Sequence, residues 1–174
     1  MERPFRQVRG VFDATTIRVY QAYSPAIADS ALRAGRLVEP FKRERMTWIK
    51  PSFTWMMYRA GWGTKPDQER VLALDITRSG FEEALARSCI SHFSPELHAS
   101  PEAWKAALAA SDVRIQWDPE RSLRLGPLAW RAIQVGLSGR AVDAYVDAWI
   151  TRIEDVTALG HAVAAAVQAG DLEE

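Results

Sequence analysis

Val71-Leu72-Ala73-Leu74-Asp75-Ile76-Thr77 is apolar almost without interruption. A run of this length and content reads as a strand buried in the middle of a sheet rather than one with a solvated face. The segments around it supply layers to cover it. Residues 17–23 alternate and are rich in β-branched and aromatic side chains, which predicts a second strand. Ser24-Pro25 then offers an N-cap and a first helical position, Ile27, Ala28, Ala31 and Leu32 share one helical face, and Gly35 is a stop. Residues 46–50 read as a short extended segment, and Pro51 opens a helix that ends near Gly61.

Further along, Ser79-Gly80-Phe81-Glu82 has a capping-box pattern for a helix running to about Ile90, and Ser100-Pro101 starts another. Residues 113–117 read as a strand closed by a turn at Asp118-Pro119, and residues 132–137 as another strand. Ser138 is placed to cap a long C-terminal helix, with a stripe of Val142, Tyr145, Val146, Trp149, Ile153, Val156, Val163 and Val167. Strand spacing is irregular, with no repeating strand–helix–strand rhythm. The expectation is one α+β domain over residues 1–174, with a mixed or mostly antiparallel sheet and packed helices.

Apolar residues make up 48% of the 174, enough for a sizeable core. The lone Cys89 cannot form an internal disulfide, the charged N-terminus does not resemble a signal peptide, and no 18-residue apolar run is present. These features predict a cytoplasmic protein without a membrane span. Net charge is zero but unevenly spread: residues 1–66 hold 12 Lys and Arg against 5 Asp and Glu, a net +7, and the remainder carries −7. Such polarity points to a basic face, unless the two halves pair in space.

The basic character peaks in residues 41–59, where cations alternate with aromatics and hydroxyls. Arg43, Arg45 and Lys50 suit phosphate, Trp48, Trp55 and Tyr58 offer ring faces, and Ser52 stands at a helix N-terminus, where backbone N–H groups favour anions. The competing reading is a solvated basic loop leading into a core helix. On the first strand, Arg18 alternates with Tyr20, and Tyr23 closes the segment; Arg18 there needs either a carboxylate partner or a ligand anion. Asp118 and Glu120 are two carboxylates suited to a ribose hydroxyl or an oxocarbenium ion, or simply to a proline turn. Cys89, His92, His98 and His161 are too scattered for a metal set. Phosphate-loop, dinucleotide-binding and nucleophile-elbow motifs are missing.

Residues 19–23, 43–53, 55–59, 116–121, and 133–137 running into Trp149 together resemble the family known as domain of unknown function 4291. The resemblance covers nearly the whole chain and implies no particular reaction. A looser resemblance, to ADP-ribosyltransferase-type domains, rests on Arg18-Val19-Tyr20 and the helix to Gly35. It implies that NAD is the cofactor, that Arg18, Arg45 and Lys50 hold phosphates, that Tyr20, Trp48 or Tyr58 stacks on a ring, and that Glu120, Asp118 or Gln134 orients the ribose. The chain departs from that pattern in lacking a Ser-Thr-Ser strand and in placing Pro119 between the carboxylates. The functional expectation is a nucleotide-binding domain, with NAD-dependent ADP-ribosyl transfer as its activity. The alternative is a module for RNA or single-stranded nucleic acid without catalysis, against which overall neutrality counts.

Overall fold

The computed structural model describes residues 3–172. Strand β1 (Thr16–Tyr23) is followed by helix α1 (Pro25–Ala34), which Gly35 ends in a left-handed conformation. The short strand β2 (Thr47–Ile49) leads to α2 (Phe53–Ala60), and β3 (Arg70–Thr77) is the apolar run identified above. Helix α3 (Arg78–Ala86), strand β4 (Cys89–Ile90) and helix α4 (Pro101–Ala110) precede the hairpin of β5 (Val113–Arg121) and β6 (Pro127–Leu137). The chain closes with α5 (Arg140–Ala144), a π-helical turn (Tyr145–Trp149), β7 (Ile150–Asp155) and α6 (Thr157–Ala169).

Two sheets result. One has the order β1-β3-β7 and is antiparallel throughout. The other has the order β2-β6-β5-β4, with β4 parallel to β5 and the rest antiparallel. The fold is α+β, mostly antiparallel, as expected. Strand β3 is central, and its two faces feed two cores. Leu72, Leu74 and Ile76 enter the larger one with Val19, Ile49, Val135 and Trp149; Val71 and Ala73 pack with Met56, Met57 and Val156. Tyr20 and Lys50 exchange backbone hydrogen bonds of 2.8 and 3.3 Å and tie the two sheets together.

Several expected elements are corrected. Thr77 rather than Ser79 caps α3, accepting from the Gly80 N–H, and the helix stops at Ala86 so that Cys89 and Ile90 can pair with β5. The expected turn at Asp118-Pro119 is strand: Asp118 pairs with Ala132 and Pro119 with Arg131. A register shift between Pro119 and Arg121 accommodates the proline's missing N–H, and the chain turns only at residues 122–126. The C-terminal helix is real but begins at Thr157. Ile150–Asp155 leave the helical path because the otherwise open edge of β3 takes them as a paired strand. The π-helical turn seats Trp149 on Gly80, where a Cβ would lie 2.5 Å from the indole.

Candidate functional site: a donor-lined cleft around Lys50

Strand alternation puts Trp48 and Lys50 on the outer face of the four-stranded sheet, beside Gly136, Gln134, Gln116 and Asp118 on β6 and β5. Trp48 lies across Gly136, whose α-hydrogen leaves the necessary room: a Cβ there would come within 3.0 Å of the indole and 2.9 Å of Met46 Sδ. Helix α2 walls the other side with Trp55 and Arg59. The resulting cleft has two connecting parts that share Trp48, Lys50 and Arg59. The part of about 330 Å³ is lined by Trp55, Gln116, Asp118 and Gln134. The part of about 510 Å³ opens past Gln21, Tyr23, Phe41, Lys42, Arg45 and Met46.

Lys50 is only 7% exposed. Its Nζ reaches the Trp48 carbonyl at 3.5 Å and forms no ion pair among the described residues. Burial, and secondarily the charge of Arg59, lower its pKa to about 8, against a smaller opposing pull from Asp118. Two other buried donors border the cleft without a hydrogen bond among the described residues: Tyr23 Oη and Trp55 Nε1. Burial pushes the Tyr23 phenol well up, so it remains a donor at neutral pH. Asp118 is held from both sides: Gln116 Nε2 donates to Oδ1 at 2.9 Å and Gln134 Nε2 to Oδ2 at 2.7 Å. On the cleft floor, Tyr145 Oη donates to Gln21 Oε1 at 2.6 Å, and Gln21 Nε2 donates to the Trp48 carbonyl at 3.3 Å.

Of the residues singled out from sequence, Tyr23, Arg45, Trp48, Lys50, Trp55, Asp118 and Gln134 meet in this cleft. The others are committed elsewhere. Arg18 donates to both oxygens of Asp75, at 2.7 and 3.0 Å, and to Glu154 at 3.3 Å, so its partner is internal. Arg43 is gripped by Asp147, at 2.6 and 2.7 Å, and by Asp143 at 3.0 Å. Tyr20 packs edge-on against Phe53. Tyr58 stacks on Trp55, and the Arg121 guanidinium lies 3.7 Å from the Tyr58 ring centre, a place expected for a ligand ring. Ser52 caps α2 by accepting from the Trp55 N–H. The anion at this helix N-terminus is Glu120, buried, accepting from Ser52 Oγ at 2.8 Å, Thr54 Oγ1 at 3.3 Å and the Arg121 N–H at 2.8 Å.

Arg59 and Gln116 were not singled out, although both were legible. Arg59 lies one helical turn beyond Trp55, and Gln116 lies two strand residues before Asp118 on the same face. A hollow of about 530 Å³ between α4 and β5 is lined by Cys89, Leu97, Ala107 and Ile115; its Arg87 is already paired with Glu83 and Asp112. Among the described residues, no three His, Cys, Asp or Glu side chains converge as a metal set, and no helix is long and apolar enough to cross a membrane.

Fold and cleft together define an α+β domain with a buried, unpaired lysine in a donor-lined cleft. The family described as "Domain of unknown function (DUF4291)" matches residues 7–174, and the chain belongs to that family. No curated protein matches the sequence significantly.

Proposed function

We propose that this cleft binds a nucleotide, with NAD as the ligand of first choice, and that the protein transfers its ADP-ribosyl group. The observation that carries the reading is Lys50, a buried ammonium without a carboxylate partner. A buried cation is costly unless an anion compensates it, and a phosphate does so while accepting from neighbouring donors. Lys42, Arg45 and Arg59 surround the same opening, and Trp55 Nε1 and Tyr23 Oη add neutral donors. Trp48 offers a ring face.

At the other end, Asp118 has the chemistry for a ribose. Its carboxylate accepts from a hydroxyl, and its charge stabilises an oxocarbenium-like state as the nicotinamide bond breaks. Gln116 and Gln134 fix its orientation beforehand, so the charge is preorganised. Glu120, spent on the α2 N-terminus, is assigned a structural role.

Calorimetry with NAD, ATP and inorganic phosphate tests binding, and nicotinamide release tests turnover. NAD binds wild type and is lost in Lys50→Met at matched folding. Asp118→Asn retains binding and loses about 10²–10³ in rate. Absence of binding by every nucleotide tried overturns the reading; binding without nicotinamide release removes the transferase part alone.

A further inference from the structure

We infer that the strip formed by the N-terminal segment and β6 is a binding surface for single-stranded nucleic acid. The inference goes beyond the cleft and requires no chemistry there. The segment is built into the sheet: the Arg131 N–H donates to the Phe5 carbonyl at 2.8 Å, and Arg6 bridges Arg131 in parallel. This docking sets two guanidinium groups beside each of two rings, with Trp130 and Arg131, as consecutive strand residues, on opposite faces of β6. Arg3 and Arg9 lie 4.4 and 5.6 Å from the Trp130 ring centre, and Arg6 and Arg131 lie 5.8 and 5.3 Å from that of Phe5. Arg9 is steadied by donating to the Pro4 carbonyl at 2.9 Å, and Phe5 is 54% exposed.

None of the four arginines forms an ion pair with a described residue. The chain is neutral overall and satisfies Arg18, Arg43 and Arg70 with carboxylates, so this gathering of like charge is local. Ring faces hold an exposed cation only weakly, which leaves the guanidinium forks of Arg3, Arg6 and Arg131 available to phosphates, whereas Arg9 buries Nη1 and spends Nη2 on the Pro4 carbonyl. Cations beside ring faces match a chain that carries both phosphates and unpaired bases. A duplex hides its base faces, and an acidic peptide has none. Alternation also places Trp130 on the same sheet face as Gln134, four residues and ~13 Å along β6, so a bound strand would lead toward the cleft.

The test is fluorescence anisotropy of a short labelled oligouridylate, and its DNA counterpart, between about 50 and 200 mM salt. Binding that weakens steeply with salt is expected. Arg3→Ala should lower the magnitude of the log–log salt slope by about 0.7. Trp130→Ala should weaken binding about 5- to 150-fold, the range for one stacked base. Arg3→Lys should retain the slope, which a merely structural role would not require. Melting curves establish that each variant is folded, and NAD calorimetry on the same samples separates this surface from the cleft: loss of oligonucleotide binding with NAD binding intact supports the inference. Three results overturn it: no oligonucleotide binding at low salt, binding indifferent to these substitutions, or equal binding to polyglutamate or anionic phosphatidylserine vesicles.

Discussion

Ser52 Oγ donates to Glu120 Oε1 at 2.8 Å while accepting from the Trp55 N–H at 3.1 Å. One hydroxyl thus caps α2 and fastens it to β5, so the wall of the cleft is held to its floor. Glu120→Ala leaves the buried Ser52 hydroxyl and the Arg121 N–H without this acceptor and should destabilise the fold by about 1–3 kcal/mol. Glu120→Gln keeps an acceptor oxygen and should lose less. Urea denaturation of both variants measures the difference. A stability unchanged in Glu120→Ala would refute the structural role.

Gly136→Ala should disturb the cleft without touching its polar groups. The new methyl meets Trp48 and Met46 at about van der Waals overlap, and overpacking of this kind costs about 1–3 kcal/mol. Because Trp48 must tilt, nucleotide affinity should fall and tryptophan emission should shift. Unaltered emission and affinity would show that Trp48 has freedom this packing denies it.

Lys50 links affinity and stability to pH. Its folded pKa is lowered from 10.5 to about 8, so between those values the unfolded chain binds more protons than the folded one, and stability rises with pH. The full effect is roughly 3 kcal/mol at 1.36 kcal/mol per unit. The rise is readable from about pH 8 to 10. Above that, Tyr20, Tyr23 and Tyr145, whose pKa values burial raises, oppose it by releasing protons more readily when unfolded. Phosphate-ligand affinity should move the opposite way and weaken as pH passes about 8. Lys50→Met should abolish both trends in denaturation and calorimetry.

Arg18 joins β1 to Asp75 on β3 and Glu154 on β7. Arg18→Ala should destabilise by about 1–3 kcal/mol and leave nucleotide affinity unchanged. The hydrogen bond from Arg18 holds the Asp75 carboxyl below its usual range. Its stabilisation is therefore complete above the ordinary carboxylate pKa and is lost as pH falls through the lowered one. Acid denaturation of Arg18→Ala should show a shallower dependence in that window.

The sequence was most readable where local chemistry and tertiary packing agree. The apolar run of β3, the Pro25 start and Gly35 end of α1 and the Gly61 end of α2 needed only neighbouring residues. The C-terminal stripe misled because Val146, Trp149, Ile153 and Val156 also satisfy helical spacing, while the demand for a strand came from the edge of β3, 79 residues earlier by the Leu74–Ile153 pairing. Pro119 suggested a turn because the bulge that admits it depends on β6. In the candidate cleft, Lys50, Trp48 and Asp118 are the residues to which residue type alone points. The commitments of Arg18 and Arg43 were not legible, since their carboxylates lie 57 and 104 residues away.

Lys50 belongs to two structures at once. Its peptide group joins the sheets through Tyr20, and its ammonium lines the cleft. A ligand that immobilises this side chain also limits how far the seam between the sheets can breathe. The Tyr20 and Lys50 amide protons, both donated across that seam, should then exchange with solvent more slowly in the liganded protein than amides in the interior of β3 do relative to their own unliganded rates.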